Sequence, residues 1–190
     1  MEVFELGTVS FKQVEEELRG RSFAILGTIS RDYRPHSTGV VYSVSARTDP
    51  LAFYVTTRTN NKKVRNIRAN PNVSLVVPLS RRLLSFIPPY CIQFQGTASL
   101  LEASNEEAIH VFESSRILRM ILKTEFAIVA KAGGDPCFIR ISPDPTIFTY
   151  GLGTPVWRLS SSAGAAMSKV TIPVERLVEH PSETGSVTED

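Results

Sequence analysis

Acid is what the middle of this chain lacks. From Pro50 to Leu101 there is no Asp and no Glu, while Arg58, Lys62, Lys63, Arg65, Arg68, Arg81 and Arg82 all fall there. Cysteine is scarce too. Cys91 and Cys137 stand far apart, which excludes a disulfide framework and a zinc pattern; both flank apolar runs and read as buried free thiols. The three histidines, His36, His110 and His180, do not sit at ligand spacing from cysteines or carboxylates, so no metal site is expected. No apolar run reaches the ~18 residues that would span a bilayer. The opening MEVFELGTVS has neither the basic start nor the apolar centre of a secretory signal. A cytoplasmic protein without membrane contact is therefore expected. There is no nucleophile elbow of the G-x-S-x-G kind, no G-x-G-x-x-G after a strand, and no evident pair of catalytic carboxylates. Such a chain has little acid–base machinery of its own.

What is present is a run of short strands with a few helices. The length of 190 residues fits one domain with a full core; we expect it to span 1–178, with 179–190 as a mobile polar tail. Phe11, Val14 and Leu18 share a helix face, with Ser10 as the cap and Gly20 as the stop. SFAILGTIS, HSTGVVYSVSA and LAFYVTT read as three strands of a meander, the first two joined by the turn RDYRP. Thr59 to Ala69 reads as a helix capped by Asn60 or Asn61 and stopped before Pro71. VSLVVPL is the next strand, SRRLLSFIPPY an irregular apolar insertion, and CIQFQGTASLLE an alternating strand with Gln93 and Gln95 on one face. SNEEAIHVFESSRILRMILK reads as one long helix with a capping box at Ser104 and Glu107. EFAIVAKAGG and PCFIRISPDPTIFTY read as two or three more strands, and GLGTPVWRLSSSAGAAMSK as a loop or short helix. The pattern is that of a closed or half-closed antiparallel barrel decorated by helices.

The basic segment lies just after a strand. A helix N-terminus has free N–H groups and partial positive charge, and it binds phosphate. Lys62 and Lys63 stand in that first turn, where a cation is unfavourable unless an anion sits between them. Thr57, Thr59, Asn60 and Asn61 add hydrogen-bond donors. Charge alone is explained equally well by a solvated helix face. A nucleic-acid-binding barrel would want exposed aromatics to stack on bases; Phe53, Tyr54 and Phe94 sit in runs that read as core, which argues against it.

Three segments carry a resemblance: FAILGTISRDYRPHSTGVVYSV, LAFYVTTRTNNKKVRNIRANPNVSLVV and CIQFQGTASLLE. Over residues 20–130, with an echo to about 160, the chain resembles the pyridoxamine 5′-phosphate oxidase-like, FMN-binding split β-barrel proteins. The resemblance implies an α+β fold built on a six-stranded antiparallel split barrel, and a homodimer with flavin at its interface. It implies that Asn61, Lys62 and Lys63 hold the flavin phosphate, and that Thr56 and Thr57 hold the ribityl end. His36, Ser37, Thr38, Gly39, Val40 and Val41 would run along the ring. Gln93 or Gln95, with Gln95 preferred, would approach the flavin from the other subunit. Trp157 and Arg158 fall in the segment that echoes the substrate end of the oxidase and are counted with the cofactor-binding residues, Trp157 stacking near the flavin.

That segment also departs from the family. Tyr150, Gly151, Arg158 and Leu159 follow its pattern, but Ser160 stands where a histidine would be and Ser162 where an arginine would be. The residues that grip pyridoxamine phosphate are half missing, which argues against that oxidase activity. A flavin-dependent oxidoreductase acting on a small organic substrate or nicotinamide is expected, the cofactor supplying the hydride chemistry. A deazaflavin (F420) enzyme on the same fold, whose acidic tail could meet Arg65, Arg68, Arg81 and Arg82, stays open. So does a non-enzymatic flavin, haem or nucleic-acid binder.

Overall fold

The computed structural model describes residues 9–79, 90–132, 134–152 and 167–177, with backbone alone for 130 and 132. The insertion from Ser80 to Pro89 with Arg81 and Arg82, the segment with Trp157, Arg158, Ser160 and Ser162, and the proposed tail lie outside the described residues.

Helix α1 (Phe11–Arg19) opens on a capping box of Ser10 and Gln13. It buries Val14 and Leu18, and the Tyr42 hydroxyl donates to the Leu18 carbonyl at 2.7 Å. Strands β1 (Phe23–Ile29), β2 (Pro35–Val44) and β3 (Phe53–Arg58) follow. Helix α2 (Lys62–Ala69) separates them from β4 (Asn72–Leu79) and β5 (Tyr90–Glu102). Then come α3 (Glu106–Glu113), α4 (Arg116–Ala132), β6 (Pro136–Tyr150) and β7 (Met167–Thr171). The sheet order is β3-β2-β1-β4-β5-β6-β7, and β3 pairs back onto β6. All ladders are antiparallel. The result is a closed six-stranded barrel with β7 as an extra strand, the split-barrel α+β architecture expected.

Alternation along the strands fills the barrel. Leu26, Tyr42, Phe53, Leu75, Ile92 and Ile139 are fully buried in one cluster. A second cluster lies outside it, where Tyr54 and Phe138 of β3 and β6 meet Phe112 of α3 and Leu122 of α4. That cluster holds the helix pair against one side of the barrel.

Several sequence readings need correction. The long helix is two helices: Ser114 ends α3, and its hydroxyl donates back to the Val111 carbonyl at 2.7 Å, a competition with helix hydrogen bonding that serine favours. The cap of α3 is Asn105, whose side chain accepts from Ala108 N; Ser104 lies one residue too early. Of EFAIVAKAGG, Glu125 to Ala132 are not a strand but the end of α4. PCFIRISPDPTIFTY is one strand, the smaller of the counts the sequence allowed, and its Pro143 and Pro145 sit at a register shift opposite Phe94 to Gly96, where a ladder donor is dispensable. Met167 to Lys169, read as part of a loop or short helix, begin β7. Cys137 is buried as expected, but Cys91 is only half-buried.

Candidate functional site

The ladder between β2 and β3 runs from Val44↔Phe53 to Tyr42↔Val55. Beyond it the strands part: residues 35–41 of β2 continue to pair with β1, and Thr56 to Arg58 of β3 continue to pair with β6. A cleft of about 330 Å³ opens in this split, lined by Phe23, Gly39, Val40, Val41, Thr56, Thr57, Arg58, Asn61, Lys63 and Glu125. The strand edges that face it carry backbone groups without a ladder partner across the gap.

Helix α2 starts at the mouth of this cleft. Asn61 is its N-cap by backbone geometry, yet its side chain makes no cap hydrogen bond. It donates instead to Thr57 Oγ1 at 2.8 Å. Thr57 is buried and turned to the barrel interior, the side of Phe53 and Val55. Thr56, on the opposite face, has a buried Oγ1 with no hydrogen-bond partner. Lys63 is half-buried. Burial pulls its ammonium below the usual lysine value; Glu125 works against that shift, and Arg58 adds to it. Among the described residues no ion pair is made by Lys63.

Lys62 goes elsewhere. It is exposed and outside the cleft, and its charge acts on Asp32 at the β1–β2 turn. Lys63 lines the cleft and Lys62 does not. Thr38 faces the barrel interior with its register partner Leu26 and lines neither cleft described here.

His36, Ser37 and Gln95 line a second cleft, of about 450 Å³, together with Gly27, Ser74 and Asp144. Ser37, Gly27, Ser74 and Gln95 form a register row across four strands. His36 Nδ1 is buried without a hydrogen-bond partner. The next row on this outer face runs Gly39, Ile25, Val76, Gln93 and Phe148. Ile25 and Phe148 are exposed there, and so is Phe23 beside them. Of the residues gathered by resemblance, Gly39, Val40, Val41, Thr56, Thr57, Asn61 and Lys63 line the first cleft and His36, Ser37 and Gln95 the second, while Thr38, Lys62 and Gln93 line neither. Glu125 of the first cleft and Asp144 of the second were missed by sequence reasoning. Glu125 opens the run misread as a strand, and Asp144 stands between Pro143 and Pro145.

The aromatics a base-stacking surface would need, Phe53, Tyr54 and Phe94, are buried. Among the described residues no helix is long and apolar enough to cross a membrane, and no three His, Cys, Asp or Glu side chains gather as a metal site would require.

No curated protein matches the chain. Solved structures share its fold. HutZ, the haem storage protein of Vibrio cholerae, superposes with a TM-score of 0.57 at 19% identity, over 74% of this chain and 94% of that one. A conserved hypothetical protein of Mycobacterium tuberculosis gives 0.58 at 19% identity, over 82% and 94%. ChuZ of Campylobacter jejuni gives 0.60 at 12% identity, over 89% and 64%. At these identities the likeness establishes the barrel and nothing finer. The family described as pyridoxamine 5′-phosphate oxidase matches residues 10–143, the stretch from the cap of α1 to the bulge of β6. On that match, and on the split barrel those residues build, the chain belongs to the pyridoxamine 5′-phosphate oxidase family.

Proposed function

We propose that the chain is an FMN-binding flavoprotein that works as a homodimeric oxidoreductase on a small organic substrate or nicotinamide. The observation that carries this reading is Thr56 Oγ1, a buried hydroxyl without a partner in the β2–β3 split. A buried hydroxyl left alone costs free energy, so a site that keeps one is suited to a ligand that completes it. Beside it, Lys63 and Arg58 bring positive charge and the start of α2 brings free N–H groups. These residues fit a phosphate. The open edge of β2 at Gly39 to Val41 fits the polar rim of a ring, which backbone groups can bond. When bound, the flavin would supply hydride transfer. The chain's own part is to bind the phosphate, orient the ring and exclude water with Phe23 and Val41.

The second cleft belongs in this reading through the dimer. A second copy seated on the exposed face of β1, β4 and β5 would bring its Gln95, His36 and Ser37 towards the first copy's split. The test is reconstitution with FMN, followed by the visible spectrum and quenching of flavin fluorescence. Lys63→Ala should weaken FMN by about 1.5–3 kcal/mol, the usual worth of a hydrogen bond to a charged group. Riboflavin, which lacks the phosphate, should be almost indifferent to the change. Absence of FMN binding by the unaltered protein would sink the proposal. Bleaching of the bound flavin by a reduced nicotinamide would support an enzyme; a bound flavin that no reductant bleaches would support a store. Tighter binding of F420 than of FMN would move the reading to a deazaflavin enzyme.

A haem-binding role is a second reading. HutZ is described as a haem storage protein and a Mycobacterium smegmatis neighbour as a haem-binding protein. The unpartnered His36 Nδ1 in the second cleft is the observation in its favour. A Soret band on titration with haemin that His36→Ala abolishes would support it.

A further inference from the structure

The second cleft differs in chemistry from the first. Among the described residues no Lys or Arg lines it, and Asp144 is its carboxylate. The rest of its polar wall is neutral hydroxyl and amide, from Ser37, Ser74, Asn72 and Gln95. His36 Nδ1 is buried there without a hydrogen-bond partner. The His36 backbone is fixed from behind: Asn66 Nδ2 donates to Thr28 Oγ1 at 2.9 Å, and Thr28 Oγ1 donates to the His36 carbonyl at 3.3 Å. The mouth of the cleft is basic. Its wall residues Ile29 and Pro35 are joined by the turn 30–34. That turn carries Arg31 and Arg34, both exposed. Asp32 meets Arg34 at 3.4 Å, and the charge of Lys62 also reaches Asp32. Positive charge thus prevails beside a cleft that has no cation in its wall. At the tip of the turn Tyr33 is 86% exposed and has left-handed backbone, with φ 59°. A bulky residue takes that conformation only at a cost.

We propose that the second cleft seats the carboxamide head of a nicotinamide dinucleotide, with the phosphates on the β1–β2 turn. The proposal rests on the flavin reading above, in which this cleft meets the β2–β3 split of a second copy, and it narrows the substrate of that reading to one class. A carboxamide has both a donor and an acceptor, so it completes His36 Nδ1 in either ring tautomer. A carboxylate in its place would bring like charge towards Asp144. The oxidised nicotinamide ring is a cation, which the same Asp144 favours. Guanidinium groups take phosphate oxygens through paired N–H donors, so Arg31 and Arg34 suit the two phosphates. The exposed Tyr33 ring offers a stacking face for the adenine.

The experiment titrates the FMN-loaded protein by calorimetry with NAD⁺ and with its deamido counterpart, nicotinic acid adenine dinucleotide. NAD⁺ should bind about tenfold tighter than the acid. Asp144→Asn removes the like charge and should narrow that gap. Arg31→Ala combined with Arg34→Ala should weaken both dinucleotides about tenfold and keep their ratio. Both arginines are exposed on a turn, so these variants should keep the parent's urea midpoint and FMN absorbance. Equal affinity for the amide and the acid overturns the proposal, and so does dinucleotide affinity that the arginine pair does not move. A protein that holds FMN, seen in its visible spectrum, and binds no NAD⁺ overturns the proposal while leaving the flavin reading intact. A protein that takes up no FMN overturns both.

Discussion

Thr56 and Thr57 are neighbours in sequence and opposites in space. Thr57 is satisfied inside the protein by Asn61, whereas Thr56 has a buried hydroxyl with no partner. Their valine variants should therefore behave in opposite ways. Thr57→Val leaves the Asn61 amide without its acceptor and should lower stability by about 1–3 kcal/mol. Thr56→Val removes only an unsatisfied hydroxyl, so its urea midpoint should hold or rise, while FMN affinity drops. Denaturation curves and flavin titrations on the two proteins check both halves. A Thr56→Val protein with unchanged FMN affinity would remove the observation on which the proposed function stands. In the sequence these two residues read as one hydroxyl-rich strand end. Strand alternation separates them, and it could have been read from the buried partners Phe53 and Val55. The divergence of Lys62 from Lys63 was legible in the same way, since adjacent helical residues never face the same way. Glu125 was not legible. Its place in the cleft depends on a helix that returns from more than fifty residues further along the chain.

At the level of elements, Glu15 ties three pieces of chain together. This buried carboxylate of α1 meets Arg19 at 2.8 Å, Arg176 at 3.1 Å and Arg47 at 3.2 Å. Arg176 also donates to the Asp49 carbonyl at 2.8 Å, so the helix, the β2–β3 loop and the turn at Val174–Arg176 are joined. Burial pushes the Glu15 carboxyl up, but the hydrogen bond from Arg19 and the charges of Arg176 and Arg19 outweigh it, and its value falls below the ordinary 4.5. A depressed carboxylate contributes stability above its unfolded value and loses it as pH falls through the folded one. The urea midpoint should therefore drop as pH falls below about 4.5, and Glu15→Gln should flatten that part of the profile. Glu15→Ala, which strands buried arginine charge, should cost about 3–5 kcal/mol at neutral pH. Gly96 is a second such point: a Cβ there would come within 2.3 Å of the Ser142 carbonyl. Gly96→Ala should cost about 1–3 kcal/mol in the same assay, because backbone must move to admit it. The sequence showed most strands because alternation and flanking turn residues mark them. It misled at Glu125 to Gly134, where a short apolar run fits a buried strand and a helix equally well. Only Leu118, Leu122 and Val129, read together across the supposed boundary, reveal the single face of α4.

For the whole molecule, the question is what covers the outer face of the barrel. Gly39, Ile25, Val76, Gln93 and Phe148 lie in one register row, with Ser37, Gly27, Ser74 and Gln95 in the next. This row stands over the filled barrel, while α3 and α4 pack against Tyr54 of β3 and Phe138 of β6. Its exposed Ile25 and Phe148, with Phe23 beside them, form the kind of contiguous apolar surface that marks an association site. If a second copy covers it, the polar row of one chain comes near the β2–β3 cleft of the other, and the proposed site is complete only in the dimer. Ile25→Glu tests this. Ile25 is outside both clefts, and its outward position lets a carboxylate stay solvated in a lone chain. The variant should therefore fold with a near-normal urea midpoint. Sedimentation should show a monomer where the unaltered protein is a dimer, because two buried carboxylates related by the twofold axis would face an apolar seam. FMN affinity should fall together with dimerisation, and raising the protein concentration should restore both in parallel. A monomeric Ile25→Glu protein that binds FMN as tightly as the parent would confine the site to the β2–β3 split of one chain. His36, Ser37 and Gln95 would then have no part in holding the flavin.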